Sequence, residues 1–248
     1  MSVLLEVCVD SAEGLRSAIE GGADRIELCS ALELGGLTPS LGLMELASKA
    51  PIPVYAMIRP RAGNFCFSTE DEAIMVSDIR NATNAGLAGV VIGASLSDGS
   101  LDVAMLERLV AEAKGLGTTL HRAFDLVPNM EIAVQQAIAL GFERILTSGL
   151  SQTAEKGLDN LRVLAELAGG RIRIMPGSGV NAENARRIVE ATGAAEIHAS
   201  CRVPVEEKDS RAIAFGFAAE QSFRLSAQRV SALKAAIEKF EGRSFQIL

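Results

Sequence analysis

Short apolar runs rich in Val and Ile alternate with longer amphipathic runs along nearly the whole chain. The strand-like runs begin near Val3, Asp24, Pro53, Ala88, Thr118, Glu143, Arg171 and Ala195, eight in all. Helical patterns lie between them, among them Thr69 to Ala85, Asp102 to Gly115, Asn129 to Leu140 and Asn181 to Thr192. A strand followed by a crossover helix brings the next strand in parallel to the first. Eight such units with no Ser/Pro-rich linker predict a single (β/α)₈ TIM barrel spanning residues 1–248, a length suited to that fold. The rival is an open doubly wound sheet. It does not need eight strands, and no GxGxxG follows the first of them, so no nucleotide or flavin cofactor is expected.

Helix boundaries agree. Thr38-Pro39 places a capping residue before a proline at a first helical position. Asp10-Ser11-Ala12-Glu13 and Asn181 with Asn184 read as helix starts. Gly21-Gly22, Gly86, Gly141 and Gly193 follow helical runs and precede strands, which marks the bottom of the barrel. One segment departs from the repeat. Arg202 to Gln221 has mixed polarity and separates the eighth strand from the last helical pattern, Arg224 to Phe240. It reads either as a long active-site loop with a short helix or as an oligomer contact.

A net charge of −7 argues against sequence-independent binding to nucleic acid, which needs a basic face. No apolar run approaches the roughly 18–20 residues of a membrane span. Met1 to Glu6 lacks the basic start and long apolar stretch of a secretion signal, so a cytoplasmic protein is expected. Cys8, Cys29, Cys66 and Cys201 are then expected to be thiols, and they form no CxxC pair.

Residues i and i+2 of a strand share a face. Such pairs and triplets are Glu6 and Cys8; Glu27 and Cys29; Tyr55, Met57 and Arg59; Thr119 and His121; and Glu196, His198 and Ser200. One face carries charge while the other is Val, Leu, Ile or Ala, so the charged face is expected inside the barrel. Buried charges must be paired. They form either a structural ion-pair network or a polar pocket for a small anion or metal, and position at the strand ends favours the pocket.

The strand ends supply candidates. Arg59 and Arg61 flank Pro60 and suit a carboxylate or phosphate; surface salt bridging is the alternative, above all for Arg61. His121 is a candidate general base or acid oriented by Asp125, or a core histidine. The turn through Gly177, Ser178 and Gly179 lets backbone N–H groups approach an anion, and Ser148 and His198 add polar groups at the same level. Cys8 and Cys29, on adjacent strands, are either small buried residues or two thiolates that share a soft ion such as Cu(I).

The segments Leu5-Glu6-Val7-Cys8, Gly22 to Cys29, Gly35 to Ser40, Met57 to Arg61, His121 to Asp125, Leu146 to Gly149, Met175 to Gly179 and Glu196-Ile197-His198 resemble the CutC family. The resemblance runs from Leu4 to about Ser200 and implies a (β/α)₈ fold, a cytoplasmic location and a homo-oligomer. It also implies a role in copper homeostasis, with Cu(I) bound through Cys8 and Cys29.

Two functions follow. One is a Cu(I)-binding protein. The other is an isomerase or lyase type of enzyme acting on a small anionic or phosphorylated substrate. In the enzyme, Arg59, Arg61 and the Gly177–Gly179 turn hold the anion, and Glu6, Glu27, His121 or Asp125 move protons.

Overall fold

The computed structural model describes residues 3–238. Eight parallel strands form the barrel: β1 (Leu4–Val9), β2 (Arg25–Leu28), β3 (Val54–Met57), β4 (Gly89–Ile92), β5 (Gly117–Leu120), β6 (Arg144–Thr147), β7 (Arg173–Pro176) and β8 (Glu196–Ala199). The hydrogen-bonded ladder runs β7-β6-β5-β4-β3-β2-β1-β8, and β7 and β8, at its two ends, pack side by side to close the ring. The helices around it are α1 (Ala12–Glu20), α2 (Leu41–Ala47), α3 (Thr69–Ala85), α4 (Val103–Glu112), α5 (Met130–Ala139), α6 (Leu158–Ala168) and α7 (Ala185–Thr192).

The outward faces of the strands make the core. Leu5, Ile26, Ile92, Ile145 and Ile197 are fully buried, as are Met75, Ile79, Leu106, Leu109, Leu161 and Ile188 on the helices. Each such side chain contributes about 1.5–3 kcal/mol by leaving water. Local chemistry sets the helix ends. Ser68 and Asp71 form a reciprocal capping box at α3, and Asn129 caps α5 through Ile132 N at 3.0 Å. Gly86 ends α3 at φ +80°, a left-handed conformation that costs glycine nothing.

Three boundaries differ from the sequence reading. Thr38-Pro39 does not start a helix: Ser40 caps α2, while the Thr38 hydroxyl takes the backbone N–H of Arg59 at 2.9 Å. Asn181 organises a turn instead, accepting from Glu183 N and Asn184 N, and α7 begins at Ala185. The segment 202–221 belongs to an antiparallel ribbon, β9 (Arg202–Glu206) with β10 (Gln221–Leu225), and α8 (Ser210–Ala214) lies between its strands. Arg224 therefore lies in β10. The last helix, α9, is described over Ala227–Glu238, and its expected end at Phe240 lies outside the described residues.

The charged face is inside, and its lower layer is a closed ion-pair network. The Arg25 guanidinium bonds Glu6 through Nε and reaches Glu196 Oε2 at 2.5 Å through Nη2. Arg144 adds a second contact to Glu196 at 3.0 Å, and Arg173 a third at 3.3 Å. Both Arg25 and Arg144 lie over the Tyr55 ring, 5.3 and 5.0 Å from its centre. Glycines on the next two strands make room for that ring, because a Cβ at Gly89 or Gly117 would meet Tyr55 at 2.2 or 2.1 Å. Burial favours the neutral Glu6 carboxyl, but Arg25 and His198 outweigh it and hold the group down at about 2. Among the described residues no helix is long and apolar enough to cross a membrane.

Candidate functional site

Above the network, at the C-terminal ends of the strands, the barrel opens into a cavity of about 170 Å³. Cys8, Glu27, Arg59, His121 and His198 line it, with Phe65, Met57 and Leu146 as apolar wall. Register explains the grouping. Parallel partners project to the same side, and β1 sets Cys8 opposite Glu27 and Glu6 opposite His198.

His198 stands between two carboxylates. Its Nδ1 lies 2.9 Å from Glu6 Oε1, and its Nε2 lies 3.8 Å from Glu27 Oε2. Burial opposes a charged ring, yet Glu27, Cys8 and Glu6 together push its pKa well above the ordinary histidine value. For Glu27 the balance also runs upward, from burial, with the charge of His198 opposing it. The Cys8 sulfur, a Glu27 oxygen and a His198 ring nitrogen all lie within 4.8 Å of one another. Cys29 sits one step beyond Glu27 on the same face, and its thiol reaches Glu27 Oε2 at 3.7 Å. Burial, Glu27 and Cys8 push that thiol's pKa up, so it resists ionisation.

His121 occupies the opposite wall. It opens a 3₁₀ turn, Arg122–Leu126, and its Nδ1 accepts the Ala123 N–H at 3.1 Å. The ring is thus neutral with its proton on Nε2, and burial and Arg59 hold its pKa at about 3. Gly93 makes space for it, since a Cβ there would meet the ring at 2.4 Å. Phe65 packs on the ring at 4.8 Å, and the Arg59 guanidinium covers Phe65 at 4.9 Å.

Arg59 is buried and has no carboxylate partner among the described residues. Backbone carbonyls hold its guanidinium: Leu34 O at 2.9 Å, Gly36 O at 3.1 Å and Gly63 O at 2.8 Å. Carbonyls fix its position without neutralising its charge.

Other expected residues lie elsewhere. Asp125 does not orient His121. It accepts from Arg122 Nε at 2.7 Å, Thr147 Oγ1 at 2.5 Å and Ser148 N at 3.0 Å, tying the 3₁₀ turn to the end of β6. Ser148 is spent in the same knot, through Asp125 at 2.9 Å and Ser151 O. Arg61 pairs with Asp71 at 3.0 Å and with the carbonyl of Cys66, which anchors its loop to the start of α3. Gly177 gives its N–H to Thr147 O at 2.9 Å and packs against His198. Gly179 accepts from Asn181 and Asn184 and lines a separate cleft of about 400 Å³ with Cys201, Arg202 and Arg229.

The sequence reading passed over Arg122 and Arg202. Both line the cavity. Arg202 also lies over Phe223 at 5.6 Å and forms no ion pair among the described residues. Its signal was the position three residues past the end of β8, at the level of the other strand-end groups.

Comparison with known proteins places this architecture. A CutC family protein of Rhizobium meliloti (strain 1021) is 52% identical over 236 residues, covering 95% of this chain and 96% of its own. The structure of CutC from Streptococcus agalactiae, a copper homeostasis protein by its name, is similar with a TM-score of 0.77 at 34% identity, over 80% of this chain and 98% of that one. A thiamine phosphate pyrophosphorylase from Pyrococcus furiosus shares the fold at 17% identity and a TM-score of 0.60, over 97% of this chain and 98% of that one. Residues 3–203, the barrel as far as the root of the ribbon, match the CutC family, and the chain belongs to that family.

Proposed function

We propose that the barrel mouth is the active site of an enzyme that binds a small anionic substrate and moves a proton on it. One observation carries this reading. Among the described residues, four buried side-chain N or O atoms lack a hydrogen-bond partner, and three of them belong to this one cavity: Glu27 Oε1, Arg59 Nε and His121 Nε2. Each buried group left unsatisfied costs about 1–3 kcal/mol, so a site that keeps three together is shaped for a ligand that completes them. Two are donors, and one of these belongs to the uncompensated Arg59 guanidinium, which selects an anion. The volume is below the usual range for drug-sized ligands and limits the substrate to a small molecule. With four unpaired cysteines, the reading keeps a cytoplasmic protein.

The test is thermal unfolding with phosphate, pyruvate and hydroxypyruvate. A ligand at a hundredfold excess over its Kd adds about 2.7 kcal/mol, a rise in Tm on the order of 5–10 °C for a chain of this size. Arg59→Met is expected to abolish that rise while keeping the far-UV spectrum. No rise with any of the three anions, or an equal rise in the variant, overturns the reading.

A second reading takes a soft metal ion as cargo, and the convergence of Cys8, Glu27 and His198 favours it. A donor set of one sulfur, one nitrogen and one oxygen suits a borderline ion such as Zn²⁺, whereas Cu(I) favours a second sulfur, which Cys29 would supply. The Cys29 thiol has to lose its proton against burial and beside the Glu27 carboxyl, so the ion itself must supply the compensating charge. In competition with a Cu(I) chelator, the double variant Cys8→Ser/Cys29→Ser is expected to lose Cu(I) binding. Equal binding by the double variant removes the cysteines from any copper role.

A further inference from the structure

We infer that the substrate is a small carbonyl compound with one anionic end, and that Glu27 removes the proton from the carbon beside its carbonyl while the neutral imidazole of His121 donates a hydrogen bond to the carbonyl oxygen. The inference rests on the anion-binding reading of the mouth and adds the chemistry to it.

The assignment comes from what each orphaned atom can do. Glu27 Oε1, as part of the carboxylate, is free to accept a proton, while its other oxygen takes the Cys29 thiol and faces His198. His121 Nε2 can only donate, because Nδ1 is committed to the Ala123 N–H. Arg59 Nε can only donate as well and carries the unbalanced charge. A cavity whose lining residues hold one free acceptor and two free donors fits a molecule that has an acidic C–H and two oxygen groups. Nε2 suits the carbonyl oxygen, and the guanidinium suits the anionic end. A neutral imidazole N–H stabilises an enolate without surrendering its proton, a recurring device in enzymic enolisation.

The step balances without a further reagent. The C–H proton passes to Glu27 Oε1. The C–H electron pair becomes the enolate double bond, and the carbonyl π pair moves onto oxygen, against His121 Nε2–H. Return of the proton to the same carbon gives exchange, or epimerisation where it returns to the opposite face. Among the described residues no lysine lines the mouth for a Schiff base, and Ser148 is locked to Asp125.

The experiment is incubation of the intact protein in D₂O with pyruvate, hydroxypyruvate or dihydroxyacetone phosphate, read by loss of the C–H proton signal. The first two carry a carboxylate and the third a phosphate, so the arms identify the anion. At least one probe is expected to exchange at least a hundredfold faster than in buffer. Glu27→Gln is expected to return the rate to that of buffer. His121→Phe, which keeps ring bulk but has no N–H, is expected to slow exchange by about 10²–10³-fold, the usual cost of losing one oxyanion donor. Probe affinity should change little in that variant. Arg80→Met, altered at an exposed ion pair with Glu112 on the outer surface, should still exchange. Probes that raise the Tm but do not exchange overturn the enolisation and leave the anion site standing. Probes that neither bind nor exchange overturn both. Exchange that survives in Glu27→Gln also overturns the assignment.

Discussion

Arg25→Met is expected to destabilise the barrel by about 3–5 kcal/mol, the cost of removing one partner from a buried ion pair. Glu6 is fully buried and takes Arg25 through Oε2, so the variant leaves a carboxylate with only His198 to balance it. Glu196 suffers less, because Arg144 at 3.0 Å and Arg173 at 3.3 Å remain. Urea unfolding at neutral pH measures the difference. Adding Glu6→Gln removes the stranded charge and leaves Glu196 on Arg144 and Arg173, so it is expected to recover most of the loss, since neutralising a buried pair altogether costs far less than halving it. A single variant within 1 kcal/mol of the parent, or a double variant no better than the single, contradicts a structural role for the network.

The second large effect is in acid. The folded pKa of His121 is about 3 against an ordinary 6.5. Between those values the unfolded chain binds a proton that the native ring refuses. Stability from this group is therefore complete above pH 6.5 and falls as pH drops toward about 3. The slope is about 1.4 kcal/mol per pH unit. His121→Gln removes the titration, so the stability difference between parent and variant is expected to change by roughly 2–3 kcal/mol between pH 6 and pH 4. Glu6, Glu27 and His198 titrate in both proteins and cancel in that difference. Curves that stay parallel mean that the native ring takes up its proton freely.

The barrel was legible because it is made of local, repeated signals. Eight apolar runs, the patterns between them and the glycines before four of the strands survive without knowledge of tertiary contacts, and α3 was placed residue for residue. Inward-facing charge was legible too, through the period of two. Height inside the barrel was not. Glu6, Glu27, Arg25 and Glu196 all read as inward polar groups. Which form the floor and which reach the mouth depends on strand stagger, which no single segment encodes. Asp125 was misplaced, and Arg61 took its salt-bridging alternative, for a related reason. Each lies within four residues of a plausible ligand-binding group, yet each is captured by a competing partner, Ser148 N or Asp71, that lies in a separate element. The ribbon was missed because Pro204 interrupts its strand pattern and none of its strand residues is fully buried, so no clear inside face marks it.

Glu6 has one oxygen in each layer: Oε2 on Arg25 below, and Oε1 on His198 above. The floor and the mouth are therefore not independent modules. A charge change at the base of the barrel is transmitted through a single carboxylate to the proton occupancy of an imidazole at the reacting end. Sequence drift in the floor is thus constrained by chemistry as well as by folding, and a scaffold engineer who neutralises the network to gain stability would retune the mouth in the same stroke.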